Sequence, residues 1–526
     1  LQFANLLFQL LYLQVSIIIV NYNVRHFLEQ CLHAVYRAIA ELNAEVIVAD
    51  NASTDRSLEY LKPLFPQVQF IAHQENLGFA KANNHAATLA KGDYLLFLNP
   101  DTLIAEDTLH QLLVCIQTHP NAGAVGVRML DGAGQFLPES KRAFPALMPA
   151  FFKLTGLARL FPRSAVLNAY ALGHLNEKSN HPVDVLAGAC MLVRRDLFEQ
   201  LGGFDEQFFM YGEDIDLSYR IRQSGYQNWY CADTSIIHFK GESTRKGSSN
   251  YVQLFYKAMQ QFVRKHYSGS KSALIVQGLQ LGILLRAGIS LIKRFVTSIG
   301  MPIIDGGIIF LLFWISKSYW ETYIKHYPFE RAQISILLPA FVLVYWLAAT
   351  ASGLYKRIYA PKKIGSALSL ALISTLAVYA LLPEGWRFSR AVILLGSVGA
   401  GLVLWLFRWW LLRIRWLKPD LRGQVIDRAV VLVHEQDQTA AQAFFHSMQL
   451  DTRIVQWCNS ESDCEQAIAA NQAHETILVS GHLSMHQLIA FADKLKGKTA
   501  LRFHHAGSSS VIGSDSKDSS GYTLSK

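Results

Sequence analysis

Three carboxylates fall within four residues at Glu213-Asp214-Ile215-Asp216, directly after the aromatic run Phe208-Phe209-Met210-Tyr211-Gly212. Carboxylates crowded against apolar side chains lose hydration, and that raises their proton affinity toward what a general base needs. The chemistry would be removal of a proton from an acceptor, with Asp214 and Glu213 as the candidates. The competing account is an ordinary acidic first turn of a helix, where the dipole favours anions. Other polar groups follow short apolar runs. Asn21 and Asn23 follow Val15–Val20, and Asp50-Asn51-Ala52-Ser53-Thr54-Asp55 follows Glu45–Ala49. Asp50 could accept the imide N–H of uracil or thymine, whereas Asn51 to Asp55 also read as an Asx turn and helix cap. In Asn76-Leu77-Gly78-Phe79-Ala80-Lys81-Ala82-Asn83-Asn84 the glycine permits close backbone approach and Asn83 and Asn84 open toward polar ligand groups. The plainer account is a glycine turn entering a helix. Asn99-Pro100-Asp101 follows Tyr94–Leu98. A carboxylate there suits a hard divalent cation bridging two phosphates, or is simply a solvated loop acid. His238, after Ile236-Ile237, can give an imidazole to the same cation, although a lone histidine is usually structural.

These groups need a scaffold that gathers strand ends. From Val15 to about Tyr267 short β-type runs, including Gln69–Ala72, alternate with helix-length segments. That alternation predicts an α/β fold with a mainly parallel, doubly wound sheet, which binds ligands beyond the carboxyl ends of its strands. The whole chain has 526 residues, 51% of them hydrophobic and 17% charged, with mean hydropathy +0.18. The length implies several domains, and the balance fits neither a wholly water-exposed enzyme nor a pure membrane bundle. Lys and Arg number 49 against 40 Asp and Glu. On so apolar a chain the excess points to anionic lipid or phosphate and not to nucleic acid. Six cysteines without a CxxC pair exclude a zinc ribbon and a disulfide scaffold. Leu1–Leu13 lacks the basic region and cleavage site of a signal peptide, so export is not expected.

Beyond Ala273 four apolar stretches follow, Pro302–Ile324, Ile334–Tyr355, Gly365–Leu382 and Ala391–Trp410. Each approaches the roughly 20 residues needed to cross a bilayer. The first is the weakest because it contains Asp305, Lys317 and Glu321. Lys/Arg clusters at 293–294, 356–363 and 413–418 put both ends of the span region on the cytoplasmic side. Ala273–Phe295, apolar but with Arg286, Lys293 and Arg294, reads as lying along the interface, with crossing the bilayer as the alternative. Strand-like runs return at Ala429–Val433 and Thr476–Ser480, with a helix over Gln438–Leu450 between them. The resulting division is 15–267, a linker at 268–300, four spans within 301–414, a small Rossmann-like α/β domain at 425–505, and a polar tail at 506–526 that is a cut-off element or disordered.

In order along the chain, VNYN, DNASTD, NLGFAKANN, NPD at 99–101, GACMLVRRDLF at 188–198, GGFDEQFFMYGEDIDLSYR and the later His238 resemble the inverting, GT-A fold, family-two nucleotide-sugar glycosyltransferases, especially the bacterial rhamnosyltransferase-like branch. The resemblance covers about Val15 to Tyr267. It implies that Asp50 reads the base, that Asp101 and His238 help hold Mg2+ or Mn2+ on the diphosphate, and that Asp214 is the catalytic base. Lys141 and Arg142 would offset charge on the leaving diphosphate. Asn99 stands where many members have a first aspartate. No QxxRW follows the acidic motif, which disfavours processive polymerisation. The later half resembles the amino-terminal region of polyprenyl-phosphate glycosylphosphotransferases. Leu411 to Lys526 is too short to add a sugar-phosphate transferase domain to the small α/β domain, which is expected to anchor and dock. The resemblance thus implies a multi-pass enzyme of the bacterial inner membrane with a cytosolic catalytic domain. It would move a sugar, such as rhamnose, from a dTDP- or UDP-sugar to a polyprenyl-linked glycan, in company with other polysaccharide-biosynthesis proteins. The rivals are transfer to polyprenyl phosphate itself and a non-catalytic membrane scaffold.

Overall fold

Val15–Asn21 (VSIIIVN) has all seven residues buried, as β-branched residues in a strand covered on both faces require. It is β1 of a computed structural model that describes residues 14–146, 157–239, 249–267, 300–326, 328–355, 362–383, 389–413 and 428–513, with a few isolated positions between. The segment Ala273–Phe295, apart from two isolated positions, and the residues 514–526 lie outside the described residues. The chain divides into two units, Leu1–Leu284 with Asp427–Lys526, and Leu285–Ile426.

In the first unit β1 is followed by α1 (Arg25–Ala38), β2 (Ala44–Asp50), α2 (Ser57–Leu64), β3 (Gln69–Ala72), α3 (Phe79–Ala87), β4 (Tyr94–Leu98) and β5 (Thr102–Leu103). Then come α4 (Thr108–Thr118), β6 (Ala122–Leu130), β7 (His181–Val183), β8 (Cys190–Arg194), α5 (Arg195–Gln200), α6 (Glu213–Gln223), β9 (Gln227–His238) and α7 (Ser249–His266). The sheet order is β3-β2-β1-β4-β8-β6-β9-β5, with β7 on β9. Strands β1 to β4 are parallel, as the alternation predicts. The remainder is mixed: β8 runs antiparallel to both β4 and β6, and β5 and β7 run antiparallel to β9. Pairing of Thr102 with His238 brings the end of β9 beside the NPD turn.

The second unit contains α8 (Met301–Trp320), α9 (Arg331–Ala351), α10 (Lys362–Leu381) and α11 (Arg390–Arg413). Among the described residues, four helices are long and apolar enough to cross a membrane. The charges that weaken the first stretch are paired. Asp305 takes a two-pronged bond from Arg408, at 2.9 and 2.5 Å, with both side chains 2% exposed, and Lys317 meets Glu321 at 2.6 Å.

The small domain has β10 (Ala429–Leu432), α12 (Glu435–Ser447), β11 (Ile454–Cys458), α13 (Glu461–Asn471), β12 (Glu475–Ser480), α14 (Met485–Leu495) and β13 (Ala500–His505), in the parallel order β11-β10-β12-β13. The polar tail assigned from 506 is corrected. Phe503 bridges to Ile512, and Ser508, Ser510, Val511 and Ile512 are buried. These residues are buried because the small domain docks on α1. Gln30 donates to Ser508 Oγ at 2.6 Å and accepts from His505 N at 2.9 Å, and Glu29 accepts from Ser510 Oγ at 2.8 Å. Arg37 donates to the Gly481 carbonyl at 2.7 Å. Glu106 accepts the first backbone N–H groups of α14, from Met485 and His486, so a helix of one domain is capped by a side chain of the other.

Asp305→Leu alone leaves a buried guanidinium without its partner, whereas Asp305→Leu with Arg408→Leu removes both charges. The single variant is expected to lower the thermal midpoint of the detergent-solubilised chain and the double variant to recover most of it. Equal midpoints in scanning fluorimetry would deny the pair a structural role.

Candidate active site

The parallel half of the sheet delivers Asn21 and Asp50 side by side, since β1 and β2 pair Asn21 with Asp50 in register. Asn21 Nδ2 donates to Asp50 Oδ1 at 2.6 Å and to Ser53 Oγ at 3.1 Å, and the Ser53 N–H donates to Asp50 Oδ2 at 2.9 Å. Asp50 is 3% exposed, and a carboxylate with four acceptor positions and two donors keeps room for one more N–H. Asn23 shapes the same turn: its Oδ1 accepts from Thr54 N at 2.7 Å and its own N–H donates to Ser53 Oγ at 3.0 Å. Asn51 is buried, bonding the Gly78 carbonyl at 3.0 Å and His73 Nδ1 at 3.0 Å. Asp55 accepts from Arg25 N at 2.9 Å and Ser57 N at 3.1 Å, so it caps α1 and α2, as the helix-cap reading of this segment has it.

At the end of β4 the Asn99 amide lies 3.4 Å from His238 Nε2, which is 3.4 Å from Asp101 Oδ1. Two ligand atoms bound side by side to one octahedral cation, each at about 2.1 Å, would lie about 3 Å apart, so Asp101 and His238 fit such an ion. No set of three or more His, Cys, Asp or Glu side chains that could hold a metal occurs among the described residues. The remaining ligands would come from phosphate and water.

The three clustered carboxylates have three different environments. Asp216, fully buried, is held by Arg220 at 2.7 Å, Lys265 at 2.8 Å and His266 at 2.6 Å. Burial pushes its carboxyl up, but His266, Arg220 and Lys265 outweigh burial and hold it at about 2. Asp214 accepts from Arg142 Nη2 at 2.5 Å and from the Gly188 N–H at 3.3 Å. Arg142 also donates to the Leu186 carbonyl at 2.9 Å and bonds Tyr170, and Asp214 and Tyr170 hold its guanidinium above the usual range against the effect of burial. Glu213 is 7% exposed, and its Oε2 finds no partner among the described residues. Burial, with the charge of Asp214 beside it, pushes the Glu213 carboxyl up to about 8.

Four sequence expectations are redirected, the first being Arg142, which is buried and paired with Asp214 and not free to face a departing diphosphate. Gly78 (φ 80°) is needed because Phe209 lies against it, where a Cβ would come within 2.5 Å of the Phe209 carbonyl, so the close approach is by the protein's own loop. Asn83 is 1% exposed and donates to the Phe79 carbonyl of its own helix at 2.9 Å, so its amide does not open toward a ligand. Its neighbour Asn84 clamps the Phe204 backbone from both sides, at 2.8 and 2.9 Å. Lys141 donates to the carbonyls of Leu172 and Leu175 at 2.7 and 3.1 Å, and burial lowers its proton affinity. Its ammonium is engaged by that turn and does not stand ready for a diphosphate. Sequence reading missed Tyr170 and the Gly188 N–H. Tyr170 lies in a stretch without periodicity, and a backbone donor carries no residue signature.

The family described as glycosyl transferase family 2 matches residues 16–202. The N-acetylglucosaminyl-diphospho-decaprenol L-rhamnosyltransferase of Mycobacterium tuberculosis is 31% identical over 264 residues, covering 48% of this chain and 85% of that relative. The chain belongs to glycosyl transferase family 2. As a family 2 member it is a glycosyltransferase and not an inert scaffold. The low-salt glycan biosynthesis hexosyltransferase Agl10 of Haloferax volcanii is 27% identical over 274 residues, 51% of this chain and 81% of the relative. Rhamnosyltransferase WbbL of Escherichia coli K12 is 30% identical over 177 residues, 32% and 63% respectively. A family described as the N-terminal domain of galactosyltransferase also matches residues 174–242, which contain the acidic motif and His238.

Removing the negative charge that Arg220, Lys265 and His266 surround, as Asp216→Asn does, is expected to cost about 3–5 kcal/mol of stability at neutral pH. A carboxyl held below its ordinary value of 3.8 stabilises above that value and loses the contribution as pH falls toward about 2. The gap between variant and native chain should therefore narrow in chemical unfolding near about pH 3. A gap independent of pH would contradict this.

Proposed function

We propose that this family 2 enzyme is an inverting transferase that moves a sugar, rhamnose in the first instance, from a dTDP- or UDP-sugar to a hydroxyl of a polyprenyl-linked glycan in bacterial cell-surface polysaccharide synthesis. The observation that carries the proposal is the Mycobacterium tuberculosis relative. It is named for rhamnosyl transfer to a decaprenol-linked sugar and is matched over 85% of its length. The apolar helices and the Lys/Arg bias of their loops support an inner-membrane enzyme with its catalytic domain in the cytosol.

In this reading the pyrimidine imide donates to Asp50, and the diphosphate lies by Asp101 and His238. These two residues would hold Mg2+ or Mn2+, which supplies positive charge to a departing diphosphate. The acceptor oxygen bonds to the anomeric carbon as the bond from that carbon to the phosphate oxygen breaks, and the acceptor proton passes to Asp214. Arg142 and the Gly188 N–H fix the carboxylate that receives it. Glu213, protonated at neutral pH, keeps a second negative charge away from the leaving group.

Asp214→Asn is expected to lower kcat by about a hundredfold or more with donor affinity little changed. Glu213→Gln, which copies a neutral carboxyl, should keep most activity at neutral pH. Steady-state kinetics of the two variants decides, and the reverse order would make Glu213 the base. Excess EDTA should abolish transfer and added Mn2+ restore it, with His238→Ala needing more Mn2+ for half-maximal rate. Undiminished turnover in EDTA would refute the metal role. Mass spectrometry of the product from a polyprenyl-diphospho-sugar and from polyprenyl phosphate separates the two acceptor readings.

A further inference from the structure

Between Glu139 and Glu177 the chain has no acidic residue, while Lys153, Arg159 and Arg163 are cationic, beyond the buried and bonded Lys141 and Arg142. Within this stretch Met148, Leu160, Phe161 and Val166 are 59%, 71%, 52% and 68% exposed. They are the four most exposed large apolar side chains described in the unit that contains the catalytic domain. Single exposed apolar residues need no explanation, but four gathered in one segment and flanked by cations do.

From Leu157 to Asn168 the described residues are held by their own hydrogen bonds. A short helix spans Leu157–Leu160, Ser164 N donates to the Phe161 carbonyl at 3.1 Å, and Asn168 Nδ2 donates to the Pro162 carbonyl at 2.7 Å. Its base is tied to the catalytic pair. Ala143 N donates to the Tyr170 carbonyl at 2.9 Å, Tyr170 bonds Arg142, and Arg142 bonds Asp214. Lys141 secures the far end at Leu172 and Leu175.

We propose that residues Met148, Leu160, Phe161 and Val166, with Arg163, form a membrane-contact surface that enters the headgroup region of an anionic bilayer and presents the lipid-linked acceptor to Asp214. The proposal rests on the acceptor class proposed above. Charge complementarity names the occupant: apolar side chains with cations and no acid match anionic phospholipid. A surface for a partner protein is expected to be rimmed by polar, solvent-accessible groups. The chain also carries four helices fit to cross a bilayer, so a lipid surface is available to it.

The test uses the full chain in nanodiscs of phosphatidylethanolamine and phosphatidylglycerol. Leu160→Cys is labelled with an environment-sensitive fluorophore, since the six native cysteines are all buried. Quenching of the label by nitroxide lipids is expected, and its absence would overturn the proposal. Leu160→Asp with Phe161→Asp should raise KM for a long-chain polyprenyl acceptor by about tenfold or more. The same variant should leave donor hydrolysis and transfer to a short-chain, water-dispersed acceptor unchanged, which also reports that it has folded. Equal KM for native and variant chains on the long-chain acceptor would overturn the proposal. So would shielding of the label in lipid-free detergent that grows with protein concentration, which would assign the surface to a second copy. If the native chain transfers to neither acceptor, the acceptor reading has failed, and the quenching result still decides the membrane contact.

Discussion

Negative charge concentrated in apolar surroundings is the constraint on which the catalytic region depends. Unit charges a few ångströms apart interact by several kcal/mol at protein-like dielectric, so Glu213, Asp214 and Asp216 cannot share one condition. Asp216 is held by Arg220, by Lys265 and by the His266 imidazole, the last two on α7, and thereby ties α7 to α6. Asp214 takes Arg142, and through Tyr170 this connects the acid to the 143–176 segment. Burial, with the charge of Asp214 beside it, pushes the Glu213 carboxyl up to about 8. Three neighbouring acids thus become a structural tie, a positioned carboxylate and a carboxyl of raised proton affinity.

The same requirement organises the rest of the chain. In the span region Asp305 and Arg408 satisfy each other, which lets a helix with an acid near its start remain fit for a bilayer. On α1 the polar residues Glu29, Gln30 and Arg37 face outward from the catalytic sheet and would leave a polar seam on an otherwise apolar side. The small domain meets that seam with Ser508, Ser510 and the Gly481 carbonyl, and around it Phe27 packs on Phe239 and Phe239 on Phe503. One hydrophobic cluster runs through both domains. The docking is therefore part of the catalytic domain's own packing.

The first four strands were legible because VSIIIVN and YLLFL are short β-branched or aromatic runs followed at once by polar residues. The placement of Asp50, Asp101, His238 and Asp214 at or beside element ends was legible for a related reason, since strand and helix ends are where a parallel sheet presents polar groups. Illegible were β11 and β13. Strand β11 lies at an edge with Val455 and Gln456 exposed, and β13 buries Arg502 and His504, so neither shows the apolar signature of a strand. Gly78, Asn83 and Lys141 were misread for one cause. Sequence shows that a group can bond, but not whether the protein's own loop, helix or turn already occupies it.

The loop that carries the acids shows how such occupation becomes function. Tyr211 at φ 69° and Gly212 at φ 89° are successive left-handed residues, and for a tyrosine that conformation costs of order 1–3 kcal/mol. The cost is sustained from three sides. Asn84 clamps Phe204, the Phe209 carbonyl accepts from Phe79 N above Gly78, and the Phe208 ring lies against Gly212. Each contact fixes the turn before α6 begins, so packing sets the direction in which Glu213 and Asp214 leave the backbone. A carboxylate oriented in advance loses less freedom when the acceptor arrives. The residues around Gly78, the turn that enters α3, therefore hold the loop that precedes Glu213 and Asp214.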